Sequence, residues 1–92
     1  MQIKISDIDV LTDDNIGNNR FVVFTDDKIE LEIKKIIPAE AVVSDAKDRF
    51  ECEIYRPAPN NEKEPPHIHL RAKSALRLKE KLKVGDLVVV EN

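Results

Sequence analysis

Residues 39–55, AEAVVSDAKDRFECEIY, decide the fold class of this chain. Two runs rich in strand formers, Ala41–Ser44 and Arg49–Tyr55, flank a polar DAKD, and this pattern reads as a β-hairpin. Within the second run, FECEIY alternates apolar and acidic residues, which puts Cys52 on an inner face because successive strand side chains point to opposite sides. On either side the same kind of signal recurs. Upstream, FVVF at Phe21–Phe24 is a short apolar run suited to a central strand. Ile3, Ile5, Ile8 and Val10 make an opening strand with an irregularity at Ser6-Asp7. Downstream, HIHLR resumes a strand at His67, and LVVV at Leu87–Val90 reads as a last strand covered on both faces, after a turn at Val84-Gly85-Asp86.

Two segments read as short helices. In ALRLKEKLK, Ala75, Leu78 and Leu82 share one side and Ser74 can cap the start. Residues 25–37, TDDKIELEIKKII, are balanced between two periods. Thr25 with Asp26 and Asp27 suits a helix start, and Ile29, Ile33, Ile36 and Ile37 fall on one helical face, whereas Ile29, Leu31 and Ile33 also alternate like a strand. The balance favours a helix ended by Pro38. Between these elements lie a turn-rich loop, TDDNIGNN at residues 12–19, and a proline-rich loop, RPAPNNEKEPP at residues 56–66. Proline lacks a backbone donor and fixes φ, so the second loop protrudes and is semi-rigid. The expected fold is mainly β with two short helices. About six or seven short strands close most economically as an open seven-stranded β-pseudobarrel, which leaves few exposed edges.

Ninety-two residues allow a single domain, taken as 1–92. The chain is 41% apolar and 36% charged with three Phe and one Tyr, so the core must be built from Ile, Val and Leu. No apolar run reaches the roughly 18 residues of a membrane span, and MQIKISDID lacks the pattern of a signal peptide. Cys52 stands alone, which excludes an internal disulfide and suits a reducing compartment, the cytoplasm or, in a eukaryote, the nucleus. The net charge of −3 argues against indiscriminate nucleic-acid binding. That figure hides a polarity. Residues 1–46 carry five basic and ten acidic residues, whereas Arg71, Lys73, Arg77, Lys79, Lys81 and Lys83 face only Glu80 between residues 71 and 83.

Catalytic patterns are scarce, and no enzyme is expected. The serines have no glycine-flanked elbow, Gly17 and Gly85 are too far apart to cradle a phosphate, and Glu32-Ile-Lys34 is a short match that chance supplies easily. Asp13-Asp14 and Asp26-Asp27 lack the spacing of a calcium loop and are better read as caps and turns. His67 and His69 share a strand face and could hold a transition metal, yet a stable site needs further ligands; the plainer reading is two half-exposed polar residues that touch a polyanion. No cofactor and no metal are expected. The better constellation is distributed: Asn15, Asn18, Asn19 and Arg20 at the first loop, Arg56, Asn60, Asn61 and Lys63 at the second. Asn and Arg make bidentate contacts to adenine and guanine edges, although Asn also simply favours turns.

These residues carry a resemblance. Leu11-Thr12, Asn15-Ile16-Gly17 and Asn19-Arg20-Phe21-Val22-Val23 resemble the opening of the plant B3 DNA-binding domain, and the hairpin Val42–Tyr55 resembles its central hairpin. Lys79–Val89, KEKLKVGDLVV, is similar to its last helix, Gly-Asp turn and Val-rich strand, so the likeness spans roughly residues 10–91. The chain is one residue shorter between Gly17 and Asn19, Cys52 and Leu78 stand near positions where the plant domains carry aromatics, and the proline-rich loop differs. These departures resemble the B3-like recognition domains of certain restriction endonucleases. The resemblance implies a pseudobarrel that grips the major groove of double-stranded DNA with two arms, Thr12–Arg20 and Arg56–Pro66. By position, Asn18, Asn19 and Arg20 would read or position one strand, and Arg56, Asn60, Asn61 and Lys63 the other. Lys47, Arg71 and Lys73 would meet phosphates. A nuclease or other effector would reside on another chain. The competing expectation, motivated by the acidic net charge, is a small β-barrel module that binds protein or a small ligand.

Overall fold

In the computed structural model, residues 1–13, 18–43, 48–59, 63–73 and 75–90 are described, with backbone alone at 11–13, 18–19 and 75–76. Seven strands and one helix follow in chain order: β1 (Gln2–Lys4), β2 (Asp7–Asp13), β3 (Asn18–Phe24), β4 (Ile37–Val43), β5 (Asp48–Tyr55), β6 (His67–Ala72), α1 (Ala75–Lys81) and β7 (Leu87–Val90). The strands form one antiparallel sheet in the order β1-β7-β4-β5-β6-β3-β2.

The sheet is open but curled, and covalent geometry requires the curl. β1 and β2 are the two edges of the sheet, yet only Ile5 and Ser6 separate them in sequence. Three residue steps span at most about 11 Å, so the edges must approach one another there. The change of partner falls within a single peptide. Ile5 donates from its N–H to the Asp86 carbonyl at 3.0 Å and accepts from Gly85 N–H at 2.9 Å, while Ser6 N–H donates to the Phe24 carbonyl at 2.8 Å. This is the irregularity that the spacing of Ile3, Ile5, Ile8 and Val10 announces. Gly85 reaches Ile5 with φ +98°, a left-handed backbone that glycine adopts without cost. Asp86, 2% exposed, closes the turn by accepting the Lys83 N–H on Oδ2 at 3.0 Å.

The inside of the curl is the core. Ile3, Ile5, Phe21, Val23, Ile54, Ile68, Leu70, Leu78 and Val88 are each at most 1% exposed, so Ile, Val and Leu dominate as composition requires. Cys52 lies with them, on the inner face that alternation assigns. In β7, Val88 and Val90 are buried and Leu87 and Val89 half-buried. α1 packs against β3 and β6 through Leu78, and Leu82 follows just beyond its end; its cap residue Ser74 lies outside the described residues.

The second helix expected over residues 25–37 is not there. Thr25 does accept the Asp27 N–H on Oγ1 at 3.0 Å, as a helix cap would. Asp27, however, turns its Oδ2 to the N–H of Lys4 at 3.1 Å and so ties the segment to β1. The chain then runs irregularly to a parallel bridge between Ile33 and Arg56, with Lys34 at φ 65°. Ile29 is buried, but Ile33 and Ile36 are 49% and 61% exposed, so no apolar helical face is covered. Ile37 and Pro38 belong to β4, where Pro38 pairs with Glu53 beyond the stretch that β7 covers. No ladder hydrogen bond is needed on that side, which is where a strand tolerates proline.

Lys81 fastens the end of α1 to the start of β5, its Nζ 2.8 Å from Asp48 Oδ2. That hydrogen bond, and then the charge of Lys81, hold the Asp48 carboxyl below its ordinary value. A depressed carboxylate stabilises the fold above its unfolded pKa and loses that contribution as pH falls through the folded one. Lys81→Ala is therefore expected to lower the urea midpoint slightly at neutral pH, with the gap to the parent chain closing below the carboxylate range. The effect is small because both side chains are more than a third exposed. A gap that persists in strong acid would assign the loss to helix packing instead.

Candidate nucleic-acid interface

Strands β5, β6, β3 and β2 lie side by side, and their register sorts side chains into rows. Ile54, Leu70 and Phe21 form one inward row. Rows an odd number of residues away from it must point outward. One runs Glu53, Arg71, Arg20; another runs Tyr55, His69, Val22, Asp9; a third runs His67, Phe24, Asp7. Arg71 is exposed, while Arg20, Phe24, Tyr55, His67 and His69 are half-buried.

The aromatic and histidine rings of this outer face touch in a chain. Tyr55 and His69 meet edge-on with centroids 4.9 Å apart, His69 and His67 lie at 5.7 Å, and His67 and Phe24 at 5.5 Å. The Tyr55 hydroxyl is 2.7 Å from His69 Nδ1. His67 Nδ1 lies 2.9 Å from the Pro65 carbonyl, which can only accept, so that nitrogen carries the proton. Burial holds the His69 pKa below its ordinary value, the charges of His67 and Arg20 press it down further, and Glu64 opposes them.

Arg20 and Arg71 are directly opposed across β3 and β6. Like charges in that position destabilise a sheet. Among the described residues neither makes an ion pair, whereas Arg49 binds Glu40 at 2.9 Å and Lys81 binds Asp48. Lys73, just past β6, lines grooves with Arg71 on one side and Arg77 on the other, which carries the basic run towards α1. The face is not purely basic. Asp7 and Asp9 border it on β2, and Glu51 and Glu53 on β5.

The residues singled out in the sequence are distributed as follows. Arg20, Arg71 and Lys73 come together, the first two on the outer face and the third at its margin. Asn18 and Asn19 open β3, next to Arg20. Lys63 is exposed in the loop between β5 and β6. Lys47, Asn60 and Asn61 lie outside the described residues. Arg56 is employed within the fold: its Nη1 donates to the carbonyl of Ile29 at 3.2 Å and reaches that of Leu31 at 3.5 Å, pinning residues 29–31 beneath the proline-rich loop. Sequence reasoning passed over Phe24 and Tyr55. Phe24 ends an apolar run and Tyr55 an alternating one, but only the register between strands aligns them with the histidines.

The two loops expected to act as arms leave opposite ends of the outer face. The β2–β3 connection adjoins Arg20, and the β5–β6 connection adjoins His67. Among the described residues no group of three or more His, Cys, Asp or Glu side chains is placed to hold a metal ion, and no helix is long and apolar enough to cross a membrane. No family model, curated protein or solved structure matches the chain.

Proposed function

We propose that this chain is a B3-like, sequence-recognising module for double-stranded DNA, its curled sheet serving as an open pseudobarrel and its β2–β3 and β5–β6 loops as the two arms. The observation that carries the reading is the pair Arg20 and Arg71, opposed on the outer face between those loops and, among the described residues, unmatched by an ion pair. Two cations held against each other cost stability, and an anion between them repays that cost. Phosphates of a duplex are such anions. In this reading Arg20, Asn18 and Asn19 serve the first arm, and Lys63, with Asn60 and Asn61, the second. Arg71, Lys73 and Lys47 contact the backbone, and Arg56 braces its arm rather than reading a base. The module performs no catalysis; an effector such as a nuclease acts from another chain, in the cytoplasm or nucleus.

Selection from a randomised duplex pool, followed by mobility shift at two salt concentrations, tests this. An enriched sequence is expected, with affinity falling as salt rises by about 0.9 decades per decade for each phosphate contacted. Arg20→Ala should cost about 1–3 kcal/mol and alter the preferred sequence if Arg20 meets a base; an equal loss on every duplex assigns it to phosphate. The border of Asp7, Asp9, Glu51 and Glu53 favours a second reading, a module that binds protein or a small ligand. No enriched sequence and no salt-dependent shift would select that reading.

A further inference from the structure

Resting on the duplex-binding reading, we infer that His67 and His69 form, with Arg20 and Arg71, a phosphate-binding centre on the outer face whose positive charge is completed by protons taken from solvent. The hydrogen bonds already made define the chemistry. His67 spends its Nδ1–H on the Pro65 carbonyl, so its neutral ring offers only a lone pair at Nε2, which repels a phosphate oxygen. Protonation converts that atom into a charged donor. His69 has its Nδ1 engaged by the Tyr55 hydroxyl, which leaves Nε2 as its remaining polar atom. The two rings lie 5.7 Å apart, close enough to flank one phosphate group.

The surrounding charges leave the decision to these protons. From β3 and β6 the histidines are faced by Arg20 and Arg71, from β2 by Asp7 and Asp9, and from β5 by Glu53 and the Tyr55 hydroxyl. The groove beside His67 is also lined by Lys28, Arg56 and Glu64. Fixed cations and carboxylates are thus interleaved, and imidazole is the kind of side chain whose protonation can tip such a balance. Burial first, and then the charges of His67 and Arg20, hold His69 towards its neutral form, and a bound phosphate offsets the charge part of that pressure. Phosphate binding and proton uptake therefore favour one another. Affinity rises as pH falls, by at most about tenfold per pH unit for each proton taken up.

The test is fluorescence anisotropy of a labelled mixed-sequence duplex with the full chain, at constant ionic strength and with EDTA present, from about pH 5.5 to 8. Tighter binding by about tenfold or more at the acid end supports the inference, as does a salt slope steeper there by about one. His67→Gln with His69→Gln should give a flat profile, with folding checked by thermal melting. In the parent chain, imidazole Cε1–H titrations followed by NMR should move to higher pH when duplex is added. A pH-independent affinity, a pH dependence that survives the double substitution, or unmoved imidazole titrations would overturn the inference while leaving duplex binding intact. No binding to any duplex at any pH would defeat both.

Discussion

Phe21→Ala is expected to remove about 3–5 kcal/mol from the folded state. The ring is 1% exposed and lies in the inward row with Leu70 and Ile54, at the middle of the β6-β3-β2 part of the sheet. Truncation there forfeits the transfer energy of the ring and leaves a cavity that strands tied on both sides cannot collapse to fill. A domain of this size has a total stability of about 5–15 kcal/mol, so the variant should sit near its unfolding midpoint at modest urea concentration. Urea unfolding checks it: the midpoint falls and the slope stays that of the parent chain. Arg20, one residue earlier, points to the other face, and Arg20→Ala should leave the unfolding free energy within about 0.5 kcal/mol of the parent. A loss below about 1 kcal/mol at Phe21 would contradict its assignment to the core.

Leu78→Ala should cost about 2–5 kcal/mol, and its effect should be concentrated in α1. Seven residues are too few to hold a helix alone, since isolated helices shorter than about 12–15 residues are marginal in water. α1 persists because Leu78, fully buried, fixes it against β3 and β6. Without that anchor, the tie from Lys81 to Asp48 and the donation from Leu82 N–H to the Leu78 carbonyl lose their support. Native-state hydrogen exchange reads this directly. Amides of α1 should lose protection while those of β4 and β5 fall only with global stability. Uniform loss across the chain would mean that helix and sheet unfold as one unit.

Most of the sheet was legible because its signals are local. Alternation in FECEIY marks β5, an apolar run marks β3 and another marks β7, and Gly85-Asp86 marks the turn before it. Leu78 and Leu82 place α1. Residues 25–37 deceived the reading for a physical reason: the isoleucine spacing fits a helix, but a helical face forms only where something covers it. In the fold, the Arg56 guanidinium claims the carbonyls of Ile29 and Leu31, and Asp27 is drawn to β1. Both interactions join residues more than twenty positions apart, beyond the reach of periodicity. The outer face was half legible. Arg20 and Arg71 were singled out separately, but their opposition, and the alignment of Tyr55 with His69, depend on the register of β3, β6 and β5.

The change of partner between Ile5 and Ser6 also dictates an order of events during synthesis. β1 is made first, yet the strand it pairs with, β7, is made last: Gln2 waits for Val89 and Ile3 for Val88. At about 5–20 residues per second, that wait lasts about 4–17 s on the ribosome. β2 faces no such delay, since β3 follows it directly. One side of the peptide can therefore be in place while the other still lacks its neighbour, and the sheet gains its β1–β7 edge only when the end of β7 has left the exit tunnel. Fusions that stall the chain before Leu87 should accordingly leave β1 open to proteolysis, with β2 and β3 already paired.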